Sequence, residues 1–369
     1  MPLKLIIHFK TIIMLYKMRL RSILILACLF RLGAFFSACS EDDEGTPNVE
    51  DTNKKTGFVS FGFTSSSRVV KYFEELPSGT IDVSDGKDFL RLSIESVHNG
   101  ALFTRRPDGS TGYSKMVVTA NGEVVEDAFI PLSSGRIHIA VKDASTGVFQ
   151  DVANPDIIRV FNPTTFEVTD AIDMSAGAVP DGVTHQYTNF LFRGDDVFSP
   201  ISSTDGPDLT DYIVHQANLS TNTFVEDTRR ESIGSSSILT GEGGGTDLDG
   251  NLYIPDGGSV GIPARLNKVP AGSNQIAPTS DFEPAATLNP LNLFLPIFGS
   301  FKILESGKAI AIVNSEVPPE ALAIVAAAGG FGNITAQQLA ELQIIVLGAE
   351  TARWCELDIE AKTVSPLAG

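Results

Sequence analysis

The chain is short of cysteine and of basic residues, and each shortage excludes a class of function. It has three cysteines in 369 residues, Cys28 and Cys39 near the amino terminus and Cys355 near the other end. No disulfide framework of the kind that staples small secreted domains can be built from them. Stability must come from the size of the core, and Cys355, beside Trp354 in an alternating apolar run, reads as a buried structural thiol. Lysine and arginine number 27 against 45 aspartates and glutamates, a formal net charge of −18. Phosphate recognition needs a basic surface, so nucleic acid is not an expected partner. His98, His138, His185 and His215 are far apart in the sequence, and no His-x-His, His-x-x-x-His or Cys-x-x-Cys spacing announces a metal. Gly241-Glu242-Gly243-Gly244-Gly245 precedes a strand-like segment with no lysine to hold a phosphate, so no cofactor is expected. No catalytic residue is assigned.

What is present begins with the amino terminus. Arg19 and Arg21 follow Met18, then come the apolar run Ser22 to Phe30, Arg31, and the small residues Ser37 and Ala38 before Cys39. That is the order of a signal peptide, and the run falls short of the about 20 apolar residues of a membrane span. Residues 1–38 are read as the signal peptide, with Met18 as an alternative start. Phe36-Ser37-Ala38-Cys39 resembles the lipobox of bacterial lipoproteins, although Phe36 replaces the usual aliphatic residue. The resemblance implies a lipid on Cys39. Ser40, Glu41, Asp42, Asp43 and Glu44 resemble the acidic run that marks Bacteroidetes-type lipoproteins for surface export, which implies an outer-membrane protein exposed at the cell surface. A second candidate, Ile25-Leu26-Ala27-Cys28, lacks that acidic run. Residues 39–56, polar and containing Pro47, Lys54 and Lys55, read as a tether.

From Gly57 onward the chain repeats one hairpin. Its copies start near Lys115, Ile157, Tyr212, Ala264 and Trp354, each an alternating strand, a turn containing Asn, Gly, Thr or Lys, and a second strand. A further unit is read near Lys308 to Val313 and another at Phe58 to Phe63. Units of this spacing predict an all-β propeller of about seven four-stranded blades over residues 57–369, each hairpin forming a blade's outer pair. A pair of β-sandwiches is the competing fold. The last blade is expected to be incomplete at the carboxyl terminus or to be closed by the amino-terminal strand. Residues 318–348 break the pattern and predict two helices, the second capped by Thr335. Asp247, Asp249, Gly250 and Asn251 read as a hairpin turn, because the glycine and glutamate positions of a calcium loop are not met.

The order of features over Gly57 to Gly369 resembles a Bacteroidetes-type family of propeller surface lipoproteins. The matching segments are Ser78-Gly79-Thr80-Ile81, Asp249-Gly250-Asn251-Leu252-Tyr253 with its glycine-rich flank, the Leu266-to-Gly272 segment before Asp281-Phe282, and Trp354-x-x-Leu357-Asp358-Ile359. The resemblance implies a ligand-capturing lipoprotein, with a siderophore as ligand and a TonB-dependent receptor as partner. It transfers no site residues. From the residues alone, Arg105, Arg106, His185 and Arg193 are the candidate ligand contacts, since arginine grips planar anions by paired hydrogen bonds and stacking. The rival reading is a propeller-fold hydrolase, a lactonase or glycan-cleaving enzyme. The lipid assignment predicts that Cys39→Ser releases the protein from membranes with its fold intact. Detergent-phase partitioning measures this, and a variant that still partitions fully would contradict it.

Overall fold

Turn chemistry fixes where these strands end. A tight antiparallel connection usually needs one residue with positive φ, a conformation glycine and asparagine adopt most readily. The computed structural model describes Gly57–Leu367 apart from 64–67, 76–81, 90–93, 133–137, 206–208, 232–242, 257–264, 279–281, 288–297, 315–317, 330–332, 346–351 and single or paired positions between them. In all five hairpins read from the sequence, one residue late in the turn has positive φ: Gly122 (80°), Phe166 (61°), Asn222 (52°), Gly272 (72°) and Lys362 (53°). Three of the turns are further held by a side-chain oxygen at their start. Asn162 Oδ1 accepts from the Thr164 and Thr165 amides, Asn218 Oδ1 from the Ser220 and Thr221 amides, and Asp358 Oδ1 from the Ala361 amide.

The strands are all antiparallel and form small sheets in a β-propeller arrangement. A three-stranded sheet comes first, β1 (Phe58–Phe63), β2 (Arg68–Phe73) and β3 (Lys87–Phe89). Blade one is β4 (Ile94–His98), β5 (Ala101–Arg105), β6 (Gly112–Val118) and β7 (Val124–Pro131). Blade two is β8 (Ile139–Val141), β9 (Gly147–Gln150), β10 (Ile157–Asn162) and β11 (Glu167–Asp173). In blade three the innermost strand is split into β12 (Thr184–Tyr187) and β13 (Leu191–Arg193), both on β14 (Asp196–Asp205), followed by β15 (Asp211–Asn218) and β16 (Thr223–Glu231). Blade four is β17 (Gly245–Thr246), β18 (Leu252–Asp256) and β19 (Arg265–Val269), with an isolated bridge from Leu266 to Phe282 in the fourth place. Blade five is β20 (Phe298–Glu305), β21 (Lys308–Asn314), β22 (Ala352–Asp358) and β23 (Thr363–Pro366).

Five blades, not about seven, therefore stand among the described residues. Two units account for the difference: Phe58 to Phe63 is β1 of the three-stranded sheet, and an insertion divides another blade. Lys308 to Val313 is not a unit of its own but β21, paired with β22 from Lys308↔Asp358 to Asn314↔Ala352. The wide spacing before Trp354 is one blade interrupted between its second and third strands. Blade five has its four strands without one from the amino terminus. The inserted segment Val317–Thr351 belongs to a second compact unit. It contains α1 (Pro319–Ala327). At the second expected helix, Thr335 and Gln338 form a reciprocal cap, the Gln338 amide donating to Thr335 Oγ1 and the Thr335 amide to Gln338 Oε1. The signal peptide, Cys39 and Ser40 to Glu44 lie outside the described residues.

Burial explains the apolar runs. The third strands β6 and β15 are buried at nearly every position, whereas the outer strand β11 is mostly exposed. A strand covered on both faces cannot alternate. Successive sheets are joined by five apolar clusters, one for each junction. Between blades one and two, Phe161 lies 6.2 Å from Phe103, 5.9 Å from Phe149 and 5.5 Å from Phe166. A side chain at Gly147 would strike the Phe161 ring. Phe166 thus accepts a left-handed backbone because its ring is held edge-on in this core. At Gly122 and Gly272 the missing Cβ removes that cost. Gly272→Ala, with open space around the new methyl, should lose about 1 kcal/mol. Lys362→Gly should gain a few tenths to about 1 kcal/mol. Urea unfolding of both variants checks the opposite signs.

Candidate functional site

The two ends of the blades differ. Connections from first to second strand and, outside blade four, from third to fourth are tight turns, such as Asn99-Gly100 and Gly194-Asp195. Connections from second to third strand, and from one blade to the next, are longer. They include 106–111, 151–156, 174–183, 232–244, 257–264 and the helical insertion. Asp247 belongs to a tight turn, its carboxylate accepting from the amides of Asp249 and Asn251, as the sequence indicates. Recognition surfaces in repeat folds gather where insertions gather.

Arg105 ends β5 and Arg106 follows it, so both stand at the long-connection end of blade one. Arg106 is committed to its own blade: Nη2 donates to Glu126 Oε1 at 3.2 Å and the guanidinium carbon lies 4.0 Å from the Phe129 ring centroid. Hydrogen bonding to Glu126 raises its pKa further. His185 lies on β12 of blade three and also faces the long-connection end, opposite Ser203 near the close of β14. Arg193 is opposite Asp196, where β14 begins. His185 and Arg193 are therefore at opposite ends of the blade, and the four candidates do not converge. Arg193 joins blades three and four instead, donating to the carbonyls of Pro270 (3.1 Å) and Ser273 (2.6 Å) and to Asn274 Oδ1 (3.1 Å), with Phe198 beneath it.

What His185 does meet is a set of groups that the sequence did not bring together. Its ring centroid is 5.4 Å from Tyr187 and 6.0 Å from His215, between blades two and three. The Tyr187 hydroxyl is 3.2 Å from His215 Nδ1, and His215 Nε2 is 3.4 Å from the Ala178 carbonyl. A carbonyl only accepts, so Nε2 carries the proton and Nδ1 accepts from the tyrosine. The Gln150 side chain closes the set, accepting from the Tyr187 amide and donating to the Pro155 carbonyl. His185 Nε2 is buried without a hydrogen-bond partner, 3.9 Å from Asp156 Oδ1. Burial lowers the pKa of His185 against the pull of Asp156, lowers that of His215 to about 4, and raises that of Tyr187. All three are neutral near pH 7. His215 was legible as a histidine in an apolar strand, but nothing local announced its neighbours.

Two further arrangements bear on chemistry. Ser199, His215 and Asp227 are direct neighbours across β14, β15 and β16. They are not a catalytic triad, because both His215 nitrogens are engaged elsewhere, the Ser199 hydroxyl is buried without a partner and Asp227 accepts from Arg229. The pattern Gly257-Gly258-Ser259-Val260-Gly261 matches Gly-x-Ser-x-Gly and lies outside the described residues. It joins the antiparallel neighbours β18 and β19, whereas a nucleophile elbow joins a strand to a helix.

No protein-family model matches the chain, and no curated protein matches it in sequence. Among solved structures, a protein of unknown function from Bacteroides caccae aligns at 10% identity and a TM-score of 0.35, over 55% of this chain and 62% of that one. Hydrazine synthase of Kuenenia stuttgartiensis aligns at 10% identity and 0.42, over 89% and 99%. The Pan2 WD40 domain of Neurospora crassa aligns at 12% identity and 0.39, over 69% and 68%. Alignments at that distance transfer no ligand, activity or residue to this chain.

The geometry separates two roles for arginine. Arg193→Ala strips a charged donor from two carbonyls and an amide oxygen and should cost about 2–3 kcal/mol of stability. Arg106→Ala removes an ion pair at the surface and should cost clearly less. Equal losses in urea unfolding would contradict the assignment.

Proposed function

We propose that this chain is a binding protein held at the outer membrane by a lipid on Cys39, whose long-connection end takes up a ligand for a membrane receptor. In this reading Ser40 to Glu44 direct it to the cell surface, the ligand is a ferric siderophore, and a TonB-dependent receptor receives it. The observation that supports a binding face is the difference between the two ends of the blades. Most short turns are at one end, while most of the longer connections between strands are at the other. A rigid stack with variable connections at one end is suited to present a recognition surface, and tethering beside a receptor raises effective concentration without new contacts. Arg105 is the charged candidate at that end that this reading retains. The hydrolase reading draws less support, since Ser199 and His215 are buried and the histidine is otherwise bonded.

Purified protein incubated with a ferric tris-catecholate, and in parallel with lactones and glycans, tests the proposal. Binding of the catecholate with no product is expected, and Arg105→Ala should weaken it by about 1.5 kcal/mol or more, roughly tenfold. Turnover of any of these compounds would overturn the binding role.

A further inference from the structure

Among the described residues the fully buried histidines are His185 and His215, and both lie at the junction of blades two and three. The junction of blades one and two is closed instead by Phe103, Phe149, Phe161 and Phe166, and that of blades three and four by residues such as Leu191, Phe198, Leu252 and Ile254. We propose that the junction of blades two and three is an acid-sensitive seam, which parts on protonation of His185 and His215 before the other junctions yield. The inference stands apart from the proposed ligand and does not depend on it.

The geometry supplies the mechanism. His215 Nδ1 accepts from the Tyr187 hydroxyl, so a proton placed there reverses that bond: the hydroxyl must turn to accept, and its own proton loses its acceptor in a buried site. A proton on His185 puts a second charge in a ring centred 6.0 Å from the first. Few groups nearby can compensate. Asp156, from the connection in blade two, is 3.9 Å from His185 Nε2 and half exposed. Asp227 on β16 is already bound at 2.8 Å by Arg229, whose own charge opposes protonation of His215. Tyr187 stays protonated, and the Ala178 carbonyl already accepts from Nε2.

The sign follows from the depressed values. A histidine exposed by opening has an ordinary pKa of about 6.5, while closed His215 lies at about 4 and closed His185 below its ordinary value. Between those limits the open form binds more protons, so the closed junction is fully favoured above about pH 6.5 and weakens as pH falls toward 4. The segments released are those that pack on the pair, 151–156 and 174–183, at the long-connection end.

Hydrogen exchange at pH 7.5 and pH 4.5, corrected for intrinsic rates, reads the seam directly. Peptides covering β12 and β15 should lose protection about tenfold or more at pH 4.5, with β18, β21 and β22 little changed, and the double variant His185→Phe, His215→Phe should abolish the difference. Uniform loss across the blades, or the same local loss in the variant, would overturn the proposal. Should the variant fail to fold, proton NMR titration of the wild-type histidine rings decides: both should titrate below an unfolded-peptide histidine, and either one titrating at or above it would overturn the seam.

Discussion

Everything in this structure depends on one requirement: a small antiparallel sheet with two apolar faces must be covered on both. None of the blades can bury its inner strands alone. β6 and β15 are buried along nearly their whole length because a neighbouring sheet lies on each side. Five apolar clusters, each drawn from two successive sheets, meet that requirement from β2 to β22. Several polar groups that cross the same junctions reach for backbone carbonyls, as Arg193 reaches Pro270 and Ser273 and Lys115 reaches Thr164. Such bonds fix the register between blades while the rings and aliphatic chains supply the burial.

The same architecture separates stability from recognition. The tight-turn end is determined by backbone geometry, with left-handed residues and side-chain caps at fixed places, and leaves little room for change. At the other end the chain passes between strands through longer connections, and there a sequence can vary without disturbing the clusters. His185, Tyr187 and His215 stand at the boundary of these two regimes. They are packed as core, yet they touch the connections through Asp156 and Ala178. Replacing them with apolar residues would satisfy the core more simply, so the neutral pair of histidines and the Tyr187–His215 hydrogen bond are a constraint that packing alone does not require.

The hairpins were legible because their signals are local. Asn121-Gly122, Thr221-Asn222 and the alternating strands beside them lie within a few residues of one another, and the structure forms a turn at each. The blade count was not legible, because the insertion between Asn314 and Ala352 stretches blade five until it imitates two units. The partners of Arg193 were not legible for a similar reason. Its acceptors Pro270 and Ser273 are brought to it only when blade four packs on blade three. The histidine cluster depends on the register of β12 on β14 and of β14 on β15, which no window of sequence contains. Asp247 was read correctly because its partners Asp249 and Asn251 are two and four residues away.

The claim that recognition belongs to the long-connection end is tested most directly by a hydrogen-exchange footprint of the protein saturated with a ferric tris-catecholate. Protection should appear in peptides spanning 105–112, 150–157, 205–211 and 256–265, with the turns at Asn99-Gly100, 142–146, Gly194-Asp195 and 247–251 unchanged. Protection confined to those turns would contradict it.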